Sequence, residues 1–117
     1  MKTILIVEDT ELNIDLLTQL LEDDYNLLVA KDGAEGVSKA QLNHPDLILM
    51  DISLPVMDGY EATRQIRTTM AFTPIIGLSA HAMSGDAARA KEAGCNDYLT
   101  KPVNEDLLIQ KVKEYLR

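Results

Sequence analysis

Five short apolar runs, separated by longer segments of helical periodicity, constrain the fold of this 117-residue chain more than any other feature. The runs occupy residues 4–7, 27–30, 47–50, 75–78 and 98–99. They are continuously apolar rather than alternating, which is typical of parallel strands covered by helices on both faces. The sequence therefore predicts a parallel sheet whose strands alternate with helices.

The segments between and after the runs carry helix signals. Leucines at helical spacing predict the first helix: Leu12, Leu16, Leu17, Leu20 and Leu21. The same spacing near the C-terminus involves Leu108, Val112 and Tyr115. Weaker helical patterns cover about 33–43, 58–69 and 82–93, the last ending at Gly94. Five βα units predict an α/β, doubly wound, flavodoxin-like sheet of order 2-1-3-4-5, whose switch point lies between strands 1 and 3.

Composition excludes several functional classes. A formal net charge of −8 argues against binding to nucleic acid or to an anionic lipid surface. The single cysteine, Cys95, cannot form an internal disulfide, which favours a reducing compartment. No apolar stretch approaches the ~20 residues that span a bilayer, and acidic residues follow the first run too soon for a signal peptide. The chain is therefore expected to be a single cytoplasmic domain without membrane insertion.

Polar side chains follow four of the five predicted strands. Glu8 and Asp9 come after the first run, Asp51 after the third, Ser79 after the fourth and Lys101 after the fifth. These four strands are neighbours in the predicted order, and their carboxyl ends share one edge of the sheet. Because ligands of doubly wound folds bind at that edge, we expect the five side chains to converge.

Three carboxylates held close together repel, since two unit charges ~4 Å apart cost about 4 kcal/mol at an effective dielectric near 20. A bound cation relieves this repulsion, and oxygen ligands without His or Cys favour Mg²⁺ over Zn²⁺. A lysine can pair first with a carboxylate and then with a phosphoryl oxygen. The pattern indicates an aspartate that attacks phosphorus and forms an aspartyl phosphate.

Each residue also has an ordinary explanation when it is taken alone. Glu8 and Asp9 fit a solvated loop, and Asp51 fits a turn. Ser79 fits a helix cap, and Lys101 fits plain surface charge. Only their joint placement at four strand ends favours a chemical site.

The chain resembles a response-regulator receiver domain over essentially its whole length. The matching stretches are "ILIVEDTELN", "PDLILMDISLPVMDGYEATRQIR", "PIIGLSAHAM" and "AGCNDYLTKPV". The resemblance implies that Asp51 is the phosphoacceptor. It also implies that Glu8 and Asp9 hold Mg²⁺, or Mn²⁺ as a substitute, together with Asp51 and the main-chain carbonyl of Ser53.

The remaining roles follow from the same resemblance. Ser79 matches the switch hydroxyl that bonds the phosphoryl group, and Tyr98 matches the aromatic residue that changes rotamer with it. Lys101 matches the family's lysine, and a cis bond is expected between Lys101 and Pro102. The face around helix 4, strand 5 and helix 5 would then change shape for a downstream partner.

The implied function is a phosphorylation switch that catalyses its own modification. The phosphoryl donor is a sensor histidine kinase or a histidine phosphotransfer protein, and the chain is expected to be a monomer or weak dimer. Two family positions tune how fast water removes the phosphoryl group, and here they are Ser53 and His81. Neither side chain offers a carboxylate or carboxamide to orient water, so we expect a long-lived phosphoryl group.

Three other functions fit parts of the pattern. A haloacid-dehalogenase-type phosphatase requires a second aspartate two residues after the nucleophile, where this chain has Ser53. A flavodoxin-like electron carrier requires a Ser/Thr/Gly-rich phosphate-binding loop after the first strand, and this chain has no such loop there. A receiver-like docking module would not need the complete set of chemical residues. Because the chain stops at Arg117, we expect residues 1–117 to form the receiver domain without an output domain, either as a stand-alone receiver or as one cut from a longer protein such as a hybrid kinase.

Overall fold

A computed structural model of the chain describes residues 1–80 and 86–117. Within these residues five strands and five helices alternate. In chain order they are β1 Thr3–Val7, α1 Glu11–Leu21, β2 Asn26–Ala30, α2 Gly33–Asn43, β3 Leu47–Asp51, α3 Gly59–Arg67, β4 Ile75–Ser79, α4 Asp86–Ala93, β5 Asp97–Thr100 and α5 Glu105–Tyr115. The strands form one parallel sheet of order β2-β1-β3-β4-β5, which confirms the predicted fold class and strand order.

The sheet is covered on both faces, as its continuous apolar runs predict. Successive residues of β3 point to opposite sides, so Ile48 and Met50 join one hydrophobic cluster whereas Leu47 and Leu49 join the other. Helices α2, α3 and α4 contribute to the first cluster, and α1 and α5 contribute to the second. All five residues of β3 are buried, which places this central strand at the middle of the fold.

Side chains that precede α2, α3 and α5 each accept a backbone N–H bond from the first turn of the helix. Asp32, Asp58 and Asn104 are N-cap residues whose side chains accept hydrogen bonds from the third residue of α2, α3 and α5. Just after the C-terminal end of α4, Gly94 has a φ of +119°, a left-handed conformation that favours glycine. The predicted helix stop at Gly94 is therefore confirmed.

Some boundaries and faces differ from the sequence prediction. Helix α3 covers Gly59–Arg67 rather than 58–69, because Asp58 serves as its cap. The predicted start of helix 4 at residue 82 lies outside the described residues. In α1 the buried face comprises Ile14, Leu17 and Leu21. Leu12, which contributes to the helical spacing, lies outside this face and is 76% exposed.

No helix among the described residues combines the length and hydrophobicity that crossing a bilayer would require.

Candidate functional site

The carboxyl ends of β1 and β3 bring three acidic side chains together. Glu8 and Asp9 follow β1 directly, and Asp51 is the last residue of β3. The register pairs Val7 of β1 with Met50 of β3, so the acids leave adjacent strands at the same level. One carboxylate oxygen from each of the three residues lies within 4.8 Å of the other two. The predicted convergence of these acids is therefore present.

Lys101, which follows β5, reaches across the edge of the sheet to this cluster. Its Nζ atom lies 2.6 Å from Oε1 of Glu8 and 3.3 Å from Oδ2 of Asp51. The side chain of Glu8 is fully buried, and that of Asp51 is nearly so. The lysine thus compensates two carboxylates that water does not solvate.

Glu8 is fixed through both of its carboxylate oxygens. Oε1 accepts the hydrogen bond from Lys101, and Oε2 accepts backbone N–H bonds from Asp9 at 2.9 Å and from Thr10 at 3.4 Å. Asp9, in contrast, is exposed to solvent. Glu8 therefore anchors the lysine, while Asp9 offers an accessible carboxylate beside it.

The electrostatics of the site follow from this crowding. Burial raises the pKa of Glu8, the neighbouring Asp51 adds to the rise, and Lys101 opposes it without reversing it. For Lys101, burial acts to lower the pKa, but the hydrogen bond to Glu8 and the charge of Asp51 outweigh it, so the pKa is raised. The lysine is therefore protonated at neutral pH, and the acidic cluster favours additional positive charge.

The loop after Asp51 is held close to the carboxylate. The backbone N–H of Ser53 donates to Oδ1 of Asp51 at 3.1 Å, and the N–H of Gly59 donates to the carbonyl of Ile52 at 2.9 Å. A Cβ atom at Gly59 would overlap the main chain of Asp51, so only glycine permits this approach. The start of α3 thereby fixes the backbone that carries Asp51.

A second glycine fixes the far side of the same loop. Gly33, at the start of α2, lies so close to the carbonyl of Met57 that a Cβ atom would overlap it. The loop also contains Val56, whose φ of 70° is unusual for a β-branched residue. Sequence reasoning did not assign Gly33 to the site, although its place after the N-cap Asp32 was a usable signal.

Ser79 and Tyr98 lie on the neighbouring strands β4 and β5. Ser79 is the last residue of β4 and is buried, and its carbonyl accepts a hydrogen bond from the backbone N–H of Lys101 at 2.6 Å. Tyr98 is half-buried and packs against the cluster that contains α3 and α4. The bond between Lys101 and Pro102 is cis, the isomer expected from the resemblance.

The structure describes one of the two residues that are expected to tune the phosphoryl lifetime. Ser53 is exposed in the loop after Asp51. His81 lies outside the described residues. Their effect on hydrolysis stays a prediction.

Comparisons with known proteins agree with the fold. Residues 4–113 match the family model of the response regulator receiver domain. The polar-differentiation response regulator DivK of Brucella ovis is 39% identical over 118 residues, which cover 98% of this chain and 96% of the relative.

Two solved structures extend the comparison. The receiver domain of the sensor histidine kinase PA1611 from Pseudomonas aeruginosa, with a magnesium ion coordinated in its active site cleft, has a TM-score of 0.90 and 38% identity, covering 97% of this chain and 96% of that chain. A chain in the Saccharomyces cerevisiae complex of the histidine phosphotransfer signalling protein Ypd1 with the Ssk1 receiver domain has a TM-score of 0.90 and 36% identity, covering 97% and 88%.

The family model spans most of the chain, and these relatives share more than a third of its residues over nearly its full length. The chain therefore belongs to the response regulator receiver domain family of two-component signalling.

Proposed function

We propose that this chain is a phosphorylation switch in which Asp51 accepts a phosphoryl group from a phosphohistidine. The observation that carries the proposal is the cluster of Glu8, Asp9 and Asp51 with oxygens within 4.8 Å, bridged on one side by Lys101. Buried carboxylates in this arrangement serve no packing purpose, since apolar residues would fill the same space without repulsion. The electrostatic cost of this placement supports a chemical role.

The donor set fits Mg²⁺. The side-chain groups are carboxylate oxygens, and burial together with the neighbouring Asp51 raises the pKa of Glu8, so a hard cation would stabilise its charged form. We assign the ion to Glu8, Asp9, Asp51 and the main-chain carbonyl of Ser53, with Mn²⁺ as a substitute. When bound, it would neutralise negative charge on the carboxylates and on the incoming phosphoryl oxygens.

Transfer requires an in-line attack by the carboxylate of Asp51. One of its oxygens forms the new O–P bond while the P–N bond of the phosphohistidine breaks, and the imidazole leaves with the electron pair and takes up a proton. The N–H of Ser53 and the ammonium of Lys101 hold the two oxygens of Asp51 in a defined orientation. Lys101 then moves from Asp51 to a phosphoryl oxygen, whose charge replaces that of the carboxylate.

The donor is a sensor histidine kinase or a histidine phosphotransfer protein. The similarity to the Ssk1 complex with Ypd1 supports a protein donor of this class. An apolar cleft of about 200 Å³ opens beside the site, between Leu16 on α1 and Val103 in the loop before α5. It adjoins Glu8 and Lys101, so a protein that covers this cleft would bring its histidine to the acidic cluster.

The output is a change in shape on the neighbouring strands. A phosphoryl group on Asp51 would draw the hydroxyl of Ser79 toward it, and Tyr98 would change rotamer in response. The surface around α4, β5 and α5 would then favour binding of a downstream protein. The phosphoryl group acts here like a ligand that stabilises one of two conformations of this surface.

Substitution of the proposed acceptor tests the assignment. The wild type and D51N are incubated with Mg²⁺ and phosphoramidate, which carries a P–N bond, and with a panel of phosphorylated histidine kinases. Wild-type protein should gain one phosphoryl group by intact mass, and D51N should gain none. D23N, which removes an exposed acid in the turn after α1, is the matched control and should be labelled normally. Undiminished labelling of D51N would falsify the proposal.

A further inference from the structure

Helix α4 is attached to the sheet by very small side chains. Among the side chains described for Ala87–Ala93, only Ala90 and Ala93 are buried. The buried faces of α3 and α5 include the larger side chains Ile66 and Leu108, which are fully buried. A methyl group removes far less apolar surface from water than a branched side chain, so packing holds α4 less firmly than its neighbours.

A cleft that is open to solvent lies between α4 and β5. It has a volume of about 300 Å³, and its walls include Ala87 and Ala90 of α4 together with Cys95 and Tyr98. Ala87, Ala88, Ala90 and Lys91 line it from α4, and three of these four side chains are single methyl groups. Ala90 and Ala93 are the buried apolar contacts of the described part of α4, so contacts outside the apolar core contribute more to its position than they do for a helix with larger buried side chains.

Two arginines provide such contacts. Arg67 of α3 donates from Nε to the carbonyl of Gly94 at 2.9 Å and from Nη2 to Oδ1 of Asn96 at 2.7 Å, which secures the C-terminal end of α4. Arg89 of α4 places its guanidinium carbon 4.4 Å from the centre of the Tyr60 ring, well within the range of a cation–π contact. The first contact lies at the end of the helix, and the second lies in its middle.

Tyr60 is a firm support for this contact. Its side chain is only 5% exposed, and it follows Gly59, whose backbone is fixed against Ile52 and Asp51. The ring therefore moves with the backbone of the phosphoacceptor loop rather than with α4. Arg89, in contrast, is exposed and belongs to the loosely packed helix.

We propose that the contact between Arg89 and Tyr60 is a latch that holds α4 closed over Cys95, with the Arg67 contact at Gly94 as the pivot. Breaking the latch lets the helix swing away from β5. The opening exposes the thiol and enlarges the cleft beside Tyr98. Tyr60 places this contact next to the Asp51 loop, because the preceding Gly59 packs on the main chain of Asp51 and Ile52.

Cys95 can report on the latch without an engineered labelling site. It is the single cysteine of the chain and is 5% exposed, with its Sγ 3.9 Å from Oγ1 of Thr63 on α3. Burial also raises the pKa of the Cys95 thiol, so the closed form reacts slowly. The rate at which a thiol reagent labels the native protein therefore follows the population in which α4 is open.

The experiment compares labelling by a disulfide reagent (DTNB) in the wild type and R89A, without denaturant. Alanine is a better helix former than arginine, so this change does not weaken α4 by propensity. We expect R89A to react about two- to fivefold faster, the range that a partly exposed cation–π contact supports. R64A removes an exposed arginine from α3 and should react like the wild type.

A double-mutant cycle identifies the partner of Arg89. Y60L should itself speed labelling, and adding R89A to Y60L should produce no further increase, since the contact is already lost. Unfolding free energies of all variants, measured in urea, separate local opening from global unfolding. The latch is refuted if R89A reacts at the wild-type rate, if it accelerates labelling equally in the Y60L background, or if its faster labelling is fully explained by lost global stability.

Discussion

Lys101 shows how much of the site depends on a single charge. Its ammonium lies within ion-pair distance of both Glu8 and Asp51, two carboxylates that are almost completely removed from water. At such separations each pair is worth several kcal/mol at an effective dielectric near 20, and desolvation offsets part of this. The lysine therefore stabilises the cluster, and under the proposed function it would compete with a divalent cation for the same oxygens.

Replacing Lys101 with methionine should change Mg²⁺ binding and phosphorylation in opposite directions. Without the competing charge, Mg²⁺ should bind K101M about tenfold more tightly, a difference of ~1.4 kcal/mol. Phosphorylation by phosphoramidate should become slower, since the phosphoryl oxygens lose their counter-charge. Calorimetric titration with Mg²⁺ measures the first effect and intact mass the second. K113M, on the exposed side of α5, is the control, and weaker Mg²⁺ binding by K101M would contradict the expected competition.

At the level of elements, an ionic cluster joins the start of β5 to α5. Oδ2 of Asp97 lies 3.0 Å from Nζ of Lys111 and accepts a hydrogen bond from the hydroxyl of Tyr115 at 3.2 Å. Burial acts to raise the pKa of Asp97, but the hydrogen bonds from Lys111 and from the backbone of Tyr98 outweigh it, so the pKa is lowered. The charged form of Asp97 is therefore the one that supports helix docking.

The lowered pKa of Asp97 predicts a pH-dependent contribution to stability. A carboxyl group with a lower pKa in the folded protein than in the unfolded chain stabilises the fold above its unfolded pKa of ~3.9. That contribution is lost as the pH falls through the folded value. The wild type should thus be more stable than D97N near pH 7, with a gap that shrinks below about pH 4. Urea unfolding across this range measures the gap, and a gap that widened in acid would show that the sign is wrong.

At the scale of the whole molecule, one sheet connects two separate hydrophobic clusters. Ile4 of β1 belongs to the cluster beneath α1 and α5, and Ile66 of α3 belongs to the cluster on the opposite face. Both residues are fully buried. Because the strands contribute alternate side chains to the two clusters, neither cluster can form without the sheet.

This arrangement predicts additive losses within one cooperative transition. I4V and I66V each remove one buried methylene group and should each lower the free energy of unfolding by about 0.5–1.5 kcal/mol. The double variant should lose their sum to within ~0.5 kcal/mol, since the sheet separates the two sites. Urea unfolding followed by far-UV circular dichroism and by tyrosine fluorescence should give coincident transitions. Two separable transitions would show that the faces unfold independently.

The sequence alone determined the architecture and the composition of the site. Continuous apolar runs specify strands buried on both faces, and alternation with helices requires the strands to be parallel. Glu8, Asp9, Asp51 and Lys101 could be placed at one edge because the carboxyl ends of parallel strands meet there. That inference depends on local periodicity and chain direction, and both can be read directly from the sequence.

Only the tertiary structure decided which neighbours these residues meet. Leu12 has the spacing of a core residue but is exposed, because the face of α1 that contacts the sheet centres on Ile14, Leu17 and Leu21. Gly33 near Met57 and Arg89 over Tyr60 join segments that lie far apart in the chain. The close packing of helices against the sheet creates such contacts, and no periodicity within either segment encodes them.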